Sequence, residues 1–121
     1  MKKRFRLTAR SDFQRLLAGR RLYAGATLVG FATPGRTART RVGVSSSRQI
    51  RGAVARNRAR RRLREAVRIH LLPDRSNGST GRGPGITFDV VLIARPPALR
   101  ATFAEIAAEV GEFGARLARS N

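Results

Sequence analysis

Arg56-Asn57-Arg58-Ala59-Arg60-Arg61-Arg62-Leu63-Arg64-Glu65 places six arginines in the nine positions from Arg56 to Arg64. At about 100° per residue, a helix would turn Arg56, Asn57, Arg60, Arg61, Arg64 and Arg68 onto one broad arc. Ala55, Ala59, Leu63, Ala66 and His70 gather on the opposite arc, with Val67 at its edge. One side can then pack on a core while the other presents guanidinium forks, which bind phosphate oxygens bidentately and keep their charge. Facing water alone, that arc would repel itself, so it implies an anionic partner. Arg62 falls near the apolar arc, where a snorkelling side chain would carry its charge outward.

The rest of the chain agrees with this reading. Its 121 residues carry 26 Lys+Arg against 7 Asp+Glu, a formal net charge of +19, which is the electrostatic footprint of a nucleic-acid binder. Hydrophobic residues make up 41%, enough for a core and too many for a wholly disordered basic tail. No apolar run reaches the roughly 20 residues of a membrane span, and the basic start Met1-Lys2-Lys3-Arg4 is followed by no apolar export segment. Without cysteine there is no disulfide, thiol nucleophile or zinc–cysteine site. The cytoplasm is the default location, and no membrane partner is expected.

Outward from the arginine helix, placed at about 53–72 and ending before Pro73, the elements follow from pattern. Residues 1–7 form a basic arm. Thr8 or Ser11 can cap a short helix with Asp12 in its first turn, Phe13, Leu16 and Leu17 on its apolar face and Gly19 as its stop. Residues 27–33 read as a strand, Pro34-Gly35 as a turn, and 41–45 as a second strand hairpin-paired with the first. Leu22-Tyr23 is a weaker strand signal. Residues 74–85 are a Gly/Ser/Pro-rich segment expected to be a mobile loop. Residues 86–94 contain the unbroken apolar run Val90 to Ile93, as in a central strand covered on both faces. A last helix at about 99–118 places Leu99, Phe103, Ile106, Ala107, Val110, Phe113 and Leu117 on one face and Arg100, Glu105, Glu109, Glu112 and Arg116 on the other. With no repeat or linker, the expectation is an α+β fold: one domain over 1–121, a two-layer α-β sandwich of order αββ(β)αβα.

These pieces, taken in order, resemble the bacterial ribonuclease P protein subunit. Arg56-Asn57-Arg58-x-Arg60-Arg61-x-x-Arg64-Glu65 resembles that family's arginine-rich motif. Arg4-Phe5-Arg6-Leu7 with Asp12-Phe13 resembles its N-terminal segment, and Arg41-Val42-Gly43-Val44-Ser45 the strand before the motif. Gly52-Ala53-Val54 stands in the family's place just ahead of it, and Asp89 to Pro96 resembles its late strand and exit. The resemblance implies that the arginine helix crosses between two parallel strands by a left-handed connection. It also implies a protein subunit that helps a catalytic RNA remove the 5′ leader from precursor tRNA, with Mg2+ held by the RNA, no catalytic residue in the protein and no obligate protein partner. RNA contacts are then expected from Arg48, Arg56, Asn57, Arg58, Arg60, Arg61, Arg64 and Arg68. Carried over by position, the leader cleft would use Phe13, Leu17, Leu28 and Gly30 beside Arg56, Asn57, Arg60 and Arg64. Leu17 and Gly30 stand where the family often has an aromatic ring, and in a regular strand Phe31 would point to the other face. Gln49 replaces a usual basic residue, and Arg51-Gly52 replaces a usual Gly-Asn pair.

The remaining polar residues suit structure better than chemistry. His70, the only histidine, sits on the apolar arc. Glu105, Glu109 and Glu112 are spaced like metal ligands but read as a solvated face. Asp89, inside a strand, reads as the partner of an arginine. Residues 81–85 lack the Lys-Ser/Thr and helix opening of a phosphate loop. Three other functions compete with the subunit reading: a ribosomal or other structural RNA-binding protein, a DNA-binding helix without its usual companions, and a self-contained nuclease for which no general base or metal cluster is visible.

Overall fold

The computed structural model describes residues 10–19, 21–35, 40–71 and 88–119. The expected arm at 1–7, the Thr8 cap and the loop at 74–85 lie outside them. Along the chain run α1 (Arg10–Leu17), β1 (Arg21–Ala24), β2 (Leu28–Pro34), β3 (Arg41–Ser46), α2 (Ala53–His70), β4 (Phe88–Ala94), a 3-10 turn (Pro96–Leu99) and α3 (Phe103–Arg119). The weakly signalled strand at Leu22-Tyr23 is β1.

The four strands lie in the order β1-β2-β4-β3. β2 pairs antiparallel with β1 and β4, and β3 pairs parallel with β4. The expected β2–β3 hairpin therefore does not form, because β4 inserts between the two. β4 is apolar at both parities and must be flanked and covered on both sides, whereas β3 carries Arg41, Ser45 and Ser46 and tolerates the edge. Its parallel pairing with β3 needs a crossover, and α2 lies within that connection.

Register assigns each residue to a face. Leu28/Ala94/Ser46, Gly30/Leu92/Val44 and Ala32/Val90/Val42 form rows on one face. Against them pack Ala59, Leu63, Ala66 and Val67 of α2 and Ile106, Val110, Phe113 and Leu117 of α3, forming the main core with Tyr23. Val29/Ile93/Ser45, Phe31/Val91/Gly43 and Thr33/Asp89/Arg41 form the rows of the other face, which carries α1. Burying each large apolar side chain contributes roughly 1.5–3 kcal/mol, so the main core dominates stability.

Two helix ends differ from expectation. α3 starts at Phe103, after the 3-10 turn opened by Pro96-Pro97. There the Thr102 hydroxyl accepts from the Glu105 N–H at 3.1 Å, and the Glu105 carboxylate accepts from the Thr102 N–H at 2.8 Å, a reciprocal cap. Phe103, in the first turn, is exposed rather than on the buried face. His70 is also exposed, because the core contact of α2 ends with Val67 and passes to Leu71, beyond the helix.

Gly30 shows how closely α3 approaches the sheet. A Cβ there would lie 2.5 Å from Phe113 Cε1 and 2.9 Å from Leu92 Cδ2. Gly30→Ala should therefore destabilise the protein by about 1–3 kcal/mol through overpacking, read as a lower urea midpoint. Gly111→Ala, where an added Cβ meets nothing within 4 Å, should be neutral or stabilising by up to about 1 kcal/mol.

Candidate nucleic-acid interface

The two sheet faces are covered unequally. On the α2/α3 side Leu28, Val42, Val90, Leu92 and Ala94 are fully buried. On the α1 side the fully buried apolar side chains are Leu16 and Val91, while Phe13, Phe31 and Ile93 pack around them half-buried. Val29 and Ser45, in the next row, are half-buried too. An eight-residue helix covers only part of the face, leaving an apolar floor with two aromatic rings beside it.

This arrangement corrects the expected cleft. Phe13 lies on the α1 face, but Leu28 and Gly30 do not: both lie on the opposite face, Leu28 in the main core and Gly30 under Phe113. Phe31 is the ring on the α1 face. Every residue from Leu28 to Ala32 is apolar or glycine, so period-2 patterning could not decide which parity met α1. Leu17, 45% exposed, projects from α1 instead of packing on the floor.

One end of this face is held by charge. Asp89 is completely buried. Its Oδ2 accepts from Arg15 Nη2 at 2.8 Å and from Arg41 Nη2 at 2.9 Å, and its Oδ1 accepts from Arg41 Nε at 3.1 Å. Arg15 Nη1 also donates to Thr33 Oγ1 at 2.8 Å. The expected arginine pairing of Asp89 is thus present, from two elements at once. Burial pushes its carboxyl up, but the hydrogen bonds and charges of Arg41 and Arg15 outweigh burial and hold it below its ordinary value.

The arginines of α2 divide by surroundings. Arg58 and Arg61 are exposed and have no ion pair among the described residues; Arg48, in the turn before the helix, is exposed as well. Arg56, Arg60 and Arg64 are half-buried. Arg60 donates to Ser46 Oγ at 3.1 Å and to Asn57 Oδ1, which places its guanidinium at the β3 end and gives Asn57, unfavourable in a helix interior, a partner. Arg68 pairs with Glu65 at 2.6 Å on the exposed surface. Arg62 does not snorkel outward: its two terminal nitrogens donate to the Ala98 and Ala101 carbonyls, each at 2.6 Å. It ties α2 to the turn before α3, whose last carbonyls need donors.

The carboxylates of α3 are likewise structural. Glu105 caps its own helix. Glu109 is not simply solvated: it accepts from the Thr27 N–H at 3.1 Å, and together with burial it pushes the Tyr23 phenol above its ordinary value. Among the described residues no group of three or more His, Cys, Asp or Glu could hold a metal ion, and no described helix is long and apolar enough to cross a membrane.

Fold and charge define a basic α+β protein of the nucleic-acid-binding class, and comparison with known proteins is more specific. The family model described as Ribonuclease P matches residues 1–118. The ribonuclease P protein component of Symbiobacterium thermophilum is 40% identical over 114 residues, covering 93% of this chain and 90% of that one. That of Acidothermus cellulolyticus is 36% identical over 121 residues, covering 97% and 91%. A mutant of the Staphylococcus aureus RNase P protein with defective mRNA degradation activity aligns with a TM-score of 0.71 at 26% identity, over 97% of this chain and 90% of that one. The Thermotoga maritima RNase P protein, at 24% identity, shares the fold with a TM-score of 0.67 over 92% and 96%. The chain belongs to the ribonuclease P protein family. A ribosomal protein is not favoured.

The Asp89 pairing has a pH consequence. A carboxylate whose native pKa is depressed contributes stability that is present above its unfolded value, near 3.8, and is lost as pH falls through the lower native value. Urea midpoints should therefore fall on acidification below about pH 4, and the drop should be smaller in Asp89→Asn, which has no charge there to lose.

Proposed function

We propose that this ribonuclease P protein holds the 5′ leader of precursor tRNA on the α1 face of its sheet, while the outward arginines of α2 contact the catalytic RNA. The half-covered floor of Phe13, Phe31 and Ile93 carries the proposal. Single-stranded RNA binds where rings or apolar surface can take bases and cations can follow the backbone. Phe13 and Phe31 suit the first need; Arg56, Arg60 and Arg64, with Asn57, carried by α2 on the other face with Arg60 at Ser46 of the edge strand β3, are the cations assigned to the second. Arg48, Arg58, Arg61 and Arg68 are left for the RNA subunit.

In this reading the chain works as one RNA-binding domain in the cytoplasm, the basic arm at 1–7 adding charge. Hydrolysis of the phosphodiester, leaving a 5′-phosphate on the tRNA, is Mg2+-dependent chemistry of the RNA. In the same reading this chain binds, orients and discriminates.

The proposal assigns different work to neighbouring arginines. Replacing Arg58 and Arg61 together by alanine should weaken binding to the RNA subunit and flatten the log–log salt dependence by about one or two units. Arg62→Met should leave that slope unchanged and lower the urea midpoint, because it removes donors from two carbonyls. Equal slopes in both variants would refute the division.

Reconstitution tests the function itself. Protein alone should not cleave precursor tRNA or messenger RNA, and protein with the cognate RNA should remove the leader at one site; cleavage by protein that survives nuclease treatment of any bound RNA would overturn this. In calcium, which suppresses cleavage, Phe13→Ala should weaken binding of leader-bearing precursor by about fivefold or more, the low end for a stacking ring, and leave mature tRNA unchanged. Equal losses would make Phe13 a core residue and end the leader-groove assignment.

A further inference from the structure

α1 is a short helix of eight residues. Among the described contacts its one fully buried side chain is Leu16, seated on Val91, and Leu17 is largely exposed. A polar attachment among the described contacts is Arg15, which reaches two neighbouring strands at once: Thr33 on β2 and Asp89 on β4. Asp89 is itself held from β3 by Arg41 through two hydrogen bonds. Thr33, Asp89 and Arg41 form one row across the sheet, so the carboxylate is also braced laterally, from β3. Phe13 lies two residues before Arg15 and packs half-buried on the same Leu16–Val91 cluster as Phe31 and Ile93.

We infer that Arg15 and Asp89 are positioning residues for precursor selection: the bond between them sets where α1 stands on the sheet, and thereby where Phe13 meets the leader. This rests on the leader-groove reading above. The geometry suits such a role. Leu16 provides apolar attraction, which is non-directional and leaves a short helix free to roll. The Arg15 guanidinium, with Nη1 on Thr33 and Nη2 on Asp89, is directional and, as it joins α1 to two strands, removes that freedom. Because the carboxylate is buried and doubly held, it cannot follow a shifting helix. A groove that must hold a base against a ring needs the ring within a few tenths of an ångström of its place, and rigid support supplies this.

The measurement is binding of leader-bearing precursor and of mature tRNA to holoenzyme reconstituted in calcium, with wild-type protein, Arg15→Met, Phe13→Ala and the double variant. Arg15→Met keeps the aliphatic stem and leaves the Arg41–Asp89 pair in place, so the fold should survive; Asp89→Asn, checked for folding by its urea transition, is the second variant. Arg15→Met should weaken precursor binding by no more than the roughly five- to 150-fold loss of a stacking ring, with mature tRNA unchanged. In the Phe13→Ala background it should then add less than twofold, since it acts through that ring. A fully additive loss, an equal loss for both RNAs, or no loss at all would overturn the inference. If Phe13→Ala is selective and Arg15→Met is not, the leader groove stands and the positioning role falls. If Phe13→Ala is itself unselective, both fall.

Discussion

β4 is the constraint on which the rest depends. Six of its seven residues are buried, and Ile93 is half-buried. Such a strand must have neighbours on both edges and cover on both faces, because unpaired backbone groups inside a core are costly. β2 and β3 supply the edges. α2 and α3 close over Val90 and Leu92, and α1 closes over Val91. The asymmetry of the two faces follows from the size of that cover: among the described residues, two long helices seal one face, and a short one leaves the other half-covered.

The same strand carries the one buried carboxylate among the described residues. In a chain of net charge +19, a buried aspartate would be a poor choice for stability unless each oxygen were bonded. Here both oxygens accept from guanidinium groups of flanking elements. Arginine therefore has two uses in this fold. Arg15, Arg41 and Arg62 hold elements together through carboxylate or carbonyl acceptors, while Arg58 and Arg61 face outward. A high positive charge is not by itself a count of RNA contacts.

Much of the architecture was legible in pattern. The arginine helix, the central strand, the last helix and the pairing of Asp89 with arginine were readable because periodicity and charge are local properties. The hairpin between β2 and β3 was not, since strand order depends on which strand gains most from a central place. The side of the sheet reached by each β2 residue was also hidden: Leu28-Val29-Gly30-Phe31-Ala32 has no polar member to mark a face. A one-residue change of parity put the ring of Phe31, instead of the ringless Gly30, on the α1 face. His70 and Phe103 turned outward because cores end where the neighbouring element ends, which no single helix encodes.

By itself, the sequence determined the class of partner and the family: arginine spacing, net charge and the ordered motifs do not need a third dimension to be read. Only the tertiary structure decided which arginines are available and which face is open. Those outcomes depend on the distance between residues far apart in the chain, such as Arg15 and Asp89 or Arg62 and Ala98. Whether a guanidinium meets a phosphate or a carbonyl is settled by what packing brings within about 3 Å of it.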